Sequence, residues 1–235
     1  MCSSDLEPPP SLRPGDLLNT RESVIASFRP LDPDEVVLGQ YDGYRDVEGV
    51  AADSDTDTFI AARLWVDTDR WRDVPFLLRT GKRMAESHQK VSLVMRDPQG
   101  GPYRASTESE GGAAIPVRGN VLRFDLAGDG ALAISMNIEI PGSQSALKTQ
   151  CTEIVLHDVD GGDPLPPYVR LIHDILLGDR TLFTRPDGLE EVWHAAGAAL
   201  DGSTPVHSYE PGSWGPEAAL RLADPVGWEM GGSAS

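Results

Sequence analysis

Three cations crowd one predicted strand end in this sequence. The stretch Val74-Pro-Phe-Leu-Leu-Arg79-Thr80-Gly81-Lys82-Arg83 runs from an apolar strand into a glycine turn, with Arg79, Lys82 and Arg83 inside five residues. Glycine lets a ligand come close to the backbone. The lysine ammonium is a point charge with three donors, suited to a phosphate or to sugar oxygens. The plain alternative is a solvated strand end, and the residues alone leave both readings open.

The setting makes the cluster conspicuous. The chain has 235 residues, 37 acids and 20 bases, for a formal charge of −17. A whole-surface attraction to nucleic acid or to an anionic membrane is therefore excluded as an expectation. Of the 20 bases only Lys82, Lys90 and Lys148 are lysines, so any chemistry that needs an ammonium has three places to look. Cys2 and Cys151 lie far apart and no CxxC pair exists. That rules out a cysteine-based zinc site and argues against a disulfide framework. No run of 18 apolar residues is present, and the first residues lack the basic and apolar regions of a signal peptide. A reducing, cytoplasmic setting and no membrane partner are the expectations.

Other site chemistries find no support. No GxGxxG, GxxxxGK[ST], HExxH or GxSxG occurs. Asp53-Ser-Asp-Thr-Asp57 alternates carboxylates, but a calcium loop wants glycine at its sixth place and glutamate at its twelfth. Those places hold Thr58 and Leu64, so a solvated turn is expected. Asp158-Val-Asp-Gly-Gly-Asp163 also reads as a turn. His88, His157, His173, His194 and His207 never pair at short spacing, and no metal is expected. His173, beside Asp174, reads as a solvated helix residue. Cys151 reads as a buried structural thiol rather than a nucleophile.

The elements that must position the turn follow from periodicity. Residues 1–17 read as an irregular, proline-rich lead-in. Asn19 with Glu22 resembles a capping box opening a short helix with Val24, Ile25 and Phe28 on one face, stopped by Pro30. Strands are expected at 36–41, 58–66, 75–79, 90–95, 121–126, 132–140 and 152–158, with a hairpin turn at Asp129-Gly130. From Pro164 the period lengthens. Tyr168, Leu171, Ile172, Ile175 and Leu176 form a helical stripe that Gly178 stops. Asp187 and Glu190 open a second helix carrying Leu189, Val192, Trp193, Ala196 and Leu200. Pro216 starts a third. Residues 18–228 read as one domain and 229–235 as a flexible tail. A block of strands and then a block of helices predicts an α+β fold: a large, predominantly antiparallel sheet with helices packed on one face.

Several segments carry a resemblance. Residues 74–83 resemble the "VPF-aliphatic-aliphatic-RTGKR" element of glucose-6-phosphate dehydrogenases. Gly39-Gln-Tyr-Asp-Gly-Tyr-Arg-Asp-Val-Glu-Gly-Val50, followed by Asp53 to Phe59, is similar to the family's "GQY…GYR…GV" segment. Tyr168 to Phe183 resembles its "YERLLLDALxGDxTLF" helix, and Gly212-Ser-Trp-Gly-Pro216 its "GSWGP" element. The likeness covers residues 5–228 and only the C-terminal part of that enzyme.

The resemblance implies a substrate-binding and oligomerisation domain, dimeric or tetrameric through its sheet, of an enzyme that oxidises glucose 6-phosphate with NADP. It implies that Lys82 contacts glucose 6-phosphate. NADP and the catalytic histidine belong to the family's N-terminal half, so no catalytic, cofactor-binding or metal-binding residue is assigned here. The expectation is a fragment, a truncated gene or a separated half, inactive alone. Two positions depart from the family. Ser87 stands where a second basic substrate contact belongs, and Ala127 where an "IQP" glutamine is usual. The alternative reading is a non-catalytic scaffold or regulatory partner of a full-length dehydrogenase.

Overall fold

The computed structural model describes residues 6–97, 104–105, 119–126, 131–139, 141–142, 146–155, 166–181, 183–197, 199–200 and 202–229. In chain order the elements are α1 (Pro14–Ile25), β1 (Val36–Tyr41), β2 (Phe59–Leu64), β3 (Phe76–Gly81), β4 (Lys90–Val94), β5 (Arg104–Ala105), β6 (Val121–Asp125), β7 (Ala131–Glu139), β8 (Ala146–Val155), α2 (Pro167–Leu177), α3 (Pro186–Gly197), β9 (Val206–Tyr209) and α4 (Glu217–Leu222). The chain forms two compact units, one of Met1–Glu86 with Leu165–Ser235, the other of Ser87–Pro164.

The fold is α+β with mostly antiparallel strands, as the order of elements predicts. The strands are shared between two sheets. The first unit holds a four-stranded sheet in the order β3-β2-β1-β9, and the second a five-stranded sheet in the order β4-β6-β7-β8-β5. In the first sheet β1 and β2 run antiparallel with Val37 opposite Ala61. β2 and β3 run antiparallel with Phe59 opposite Gly81. β9 lies parallel to β1, with Gly39 opposite His207 and Tyr41 opposite Tyr209. The central strand β1 is buried at five of its six positions. A strand enclosed on both faces reads as a continuous apolar run rather than an alternating one.

Helical residues meet both faces of this sheet. On one face Val37, Tyr41, Phe59, Ala61 and Tyr209 pack with Ala219, Ala218 and Leu222 of α4. On the other, Val36, Leu38 and Ala62 pack with Ala199 and with Ala196 of α3. A third cluster joins Leu6, Val24 of α1 and Val66. In it the Trp71 indole N–H donates to the Leu6 carbonyl at 2.6 Å.

α1 starts at Pro14, earlier than the Asn19–Glu22 pattern predicts. Proline at the first position and Asp16 in the first turn supply the start. Asn19 is mid-helix and accepts from Arg185. α2 ends as its pattern predicts, with Gly178 left-handed at φ 69°. Asp187 lies in the first turn of α3.

The strands of the second unit pair antiparallel from β4 to β8, while the two-residue β5 runs parallel to β8. Cys151 is exposed on β8, opposite Ser135, which corrects the expectation of a buried thiol. Its neighbours Lys148, Thr149, Gln150, Thr152 and Glu153 are exposed too, because nothing apolar on that stretch calls for a cover. The turns expected at Asp129-Gly130 and at 158–163, together with Cys2, Ala127 and His157, lie outside the described residues.

Candidate functional site

The motifs of the first unit meet at one end of the four-stranded sheet. Gln40 and Arg45 hold the aspartate-rich loop: the Gln40 amide donates to the carbonyls of Ser54 (3.0 Å) and Thr56 (2.9 Å), and Arg45 Nε to that of Ser54 (2.9 Å). Asp53, Asp55 and Asp57 remain exposed, as a solvated turn should. The loop delivers Thr58, whose hydroxyl accepts from the Tyr41 amide at 3.0 Å. Thr58 immediately precedes β2, the strand that lies against the cationic turn.

Phe59 sets how close that turn comes. It is 2% exposed and lies opposite Gly81 in the ladder. A Cβ on Gly81 would sit 2.7 Å from Phe59 Cδ2. Gly215 approaches the same ring with φ +99°, and a Cβ there would clash with Phe59 Cε2. The glycines of the RTGKR and GSWGP motifs therefore make room for one buried ring. Beyond Gly81 the chain is tied by its backbone to Thr58 and to the segment after β9. The Lys82 amide donates to the Thr58 carbonyl (2.8 Å), the Gly212 amide to the Arg83 carbonyl (2.8 Å), and the Ala85 amide to the Ser213 carbonyl (2.9 Å). The Tyr209 hydroxyl donates to the Lys82 carbonyl at 2.7 Å.

The three cations of the turn have different fates. Arg79 is stacked against Trp214 and Trp228, its guanidinium carbon 4.8 Å from each ring centroid, and burial lowers its pKa. Arg83 lies over the Tyr41 ring at 5.0 Å, with a left-handed backbone at φ 49°. Cation–π contacts of this kind hold a guanidinium in place while it stays charged. Lys82 is exposed, and its ammonium has no ion-pair partner among the described residues. So a backbone fixed at both peptide groups presents a single uncommitted cation, and two neighbouring positive charges raise the local potential without competing for its position.

Ser87, the position expected to be basic in the family, is exposed and begins the second unit. His173 is exposed beside Asp174, as expected. Two residues of the site carry no sequence signal strong enough to find them beforehand. Tyr209 ends a four-residue strand, and Trp228 lies beyond the last helix. Val206 and Tyr209 stand three apart, so this segment shows no period-2 alternation to mark a strand.

The first unit also has an open cleft of about 630 Å³ bounded by residues 40–46, Asp55 and residues 202–208. Asp42, Asp46 and Asp55 line it and Lys82 does not, so its charge disfavours an anion.

Comparison with known proteins bears on what the turn is for. The family profile described as "Glucose-6-phosphate dehydrogenase, C-terminal domain" matches residues 1–229. The "Glucose-6-phosphate 1-dehydrogenase 1" of Mycobacterium tuberculosis (strain CDC 1551 / Oshkosh) is 36% identical over 219 residues, 92% of this chain and 44% of that protein. The crystal structure of glucose-6-phosphate 1-dehydrogenase from Mycobacterium avium superposes with TM-score 0.80 at 31% identity, over 95% of this chain and 46% of the other. A glucose-6-phosphate dehydrogenase "in complex with its substrate glucose-6-phosphate" superposes with TM-score 0.78 at 26% identity, over 96% and 47%. The chain thus spans less than half the length of the relatives it matches.

Proposed function

The chain belongs to the glucose-6-phosphate dehydrogenase C-terminal domain family, and from that premise we propose that it is the substrate-binding part of a glucose-6-phosphate dehydrogenase. The single observation that carries this reading is the presentation of Lys82. It stands exposed on a turn fixed through Thr58 and Tyr209, while Arg79 and Arg83 are taken up by aromatic rings. An ammonium so placed suits the phosphate or a sugar oxygen of glucose 6-phosphate.

The complete enzyme would oxidise C1 of that sugar and pass a hydride to NADP. These 235 residues do not fit NADP as its main holder: no GxGxxG or P-loop pattern is present. The 235-residue polypeptide alone should therefore show no NADP reduction. Its own residues bind and orient the sugar phosphate. Assembly as a dimer or tetramer through the sheet, in the cytoplasm, belongs to the same proposal.

Titration calorimetry with glucose 6-phosphate tests the reading on the 235-residue chain and its Lys82→Ala variant. Loss of one charged contact costs about 1.5–3 kcal/mol, which is roughly 10- to 100-fold in affinity. Equal binding by the two proteins would refute the assignment. Ser87, in place of a family cation, favours a second reading, a non-catalytic partner of a full-length dehydrogenase. On that reading neither protein binds the sugar phosphate, and the wild-type chain instead co-purifies with the dehydrogenase.

A further inference from the structure

We propose that Tyr209 is a positioning residue for Lys82, an inference that rests on the reading of Lys82 as the sugar-phosphate contact. Tyr209 is 4% exposed and closes a chain of polar contacts from β1 to the turn. The Tyr41 amide donates to Thr58 Oγ1 at 3.0 Å, Thr58 Oγ1 meets Tyr209 Oη at 3.2 Å, and Tyr209 Oη is 2.7 Å from the Lys82 carbonyl. A phenol has one proton. The shortest of its contacts is to a carbonyl, which can only accept. The proton therefore goes to the Lys82 carbonyl, which leaves the phenol oxygen to accept from the threonine hydroxyl at 3.2 Å, nearer than that hydroxyl's other acceptor, the Gly39 carbonyl at 3.4 Å.

That carbonyl belongs to the peptide joining Lys82 to Arg83, and Arg83 sits at φ 49°. A residue with a Cβ adopts this conformation at a cost, and only where its surroundings over-determine it. Three contacts do so: Tyr209 on the Lys82 carbonyl, the Gly212 amide on the Arg83 carbonyl, and the Tyr41 ring under the guanidinium. Tyr209 is the one of the three that acts on the peptide of Lys82 itself. Without its hydroxyl the peptide is free to turn, and the lysine side chain leaves the direction that the turn imposes on it. A phenol is protonated, and so a donor, at neutral pH, and burial raises the Tyr209 pKa further.

The test uses the 235-residue chain, glucose 6-phosphate and titration calorimetry, with each variant's melting temperature measured alongside. Tyr209→Phe keeps the ring and removes the donor. Thr204→Val is the control for stability alone, since Thr204 is buried and its hydroxyl donates to the Ala199 carbonyl at 3.0 Å, away from the turn. The expected result is an affinity about tenfold lower in Tyr209→Phe and unchanged in Thr204→Val, for melting temperatures lowered alike. If Tyr209→Phe does not fold, Thr58→Val serves, because it removes the hydroxyl that donates to the phenol and leaves Tyr209 in place. Its expected effect has the same direction. Wild-type affinity in the tyrosine or threonine-58 variant, with binding lost in Lys82→Ala, overturns the positioning role and leaves the site. Equal weakening in Thr204→Val reduces Tyr209 to a structural residue. Wild-type affinity in Lys82→Ala overturns both.

Discussion

Replacing Gly81 by alanine would test whether the ring beneath the turn sets its position. The new Cβ would stand 2.7 Å from Phe59 Cδ2 and 2.8 Å from Met84 Sδ, where carbon neighbours normally rest at about 3.5–4.0 Å. Met84 is half-buried and can swing aside. Phe59 cannot. It is 2% exposed, its ring lies 5.5 Å from that of Tyr209, and Gly215 closes on the neighbouring Cε2 and Cζ atoms. Overpacking a tight site costs about 1–3 kcal/mol. For a chain of this size each kcal/mol is roughly 2–4 °C of melting temperature, so a fall of about 2–12 °C is expected by circular dichroism. Phe59→Leu removes the offending ring edge. The Gly81→Ala/Phe59→Leu double variant should therefore lose less stability than the sum of the two singles, by more than about 0.5 kcal/mol. Additivity would refute the argument. Gly15→Ala is the control, because nothing lies within 4 Å of the added atom.

Three further outcomes are expected. Alkaline titration followed by tyrosinate absorbance should show a late-ionising component that Tyr209→Phe removes. Burial raises its pKa, so its contribution to stability is whole below the ordinary tyrosine range and is lost as pH climbs through the raised value. Arg21→Met should lower the stability read from the urea midpoint by about 1.5–3 kcal/mol. The buried guanidinium donates to the carbonyls of Thr181 (3.1 Å) and Phe183 (3.3 Å), and a loss under about 0.5 kcal/mol would deny that it ties α1 to the segment between α2 and α3. Leu176→Glu should change stability by no more than about 0.5 kcal/mol and reduce binding of a hydrophobic dye, because Leu176 is 81% exposed on α2. A larger destabilisation would mean that this face is covered in solution.

Sequence and structure agree most closely where pattern is local. The stripe from Tyr168 to Leu176 and the stop at Gly178 describe α2 nearly to the residue. The stripe says nothing of packing: Tyr168, Ile172, Ile175 and Leu176 are all exposed here. The strand expected at 36–41 is β1 in full, because a strand covered on both faces opens on a continuous apolar run, here Val36-Val-Leu38. β8 begins at Ala146, six residues before the expected start, since Lys148, Thr149 and Gln150 interrupt the apolar run. The site divides in the same way. Lys82 and the glycine turn stand out as a motif. The stacking of Arg79 and Arg83, and the bond from Tyr209, join residues far apart in the chain, and no window of neighbouring residues contains them.

The parallel pairing of β9 with β1 has a consequence for how the molecule is made. Tyr209 follows Lys82 by 127 positions. A ribosome adding about 5–20 residues per second adds the lysine about 6–25 seconds ahead of the tyrosine. During that interval β1 has an open edge where β9 will lie, and the RTGKR turn has neither the hydroxyl on its carbonyl nor the amide of Gly212 on the next. The cationic turn is thus synthesised well before the residues that fix it, and takes its shape only once Tyr209 and Gly212 have followed.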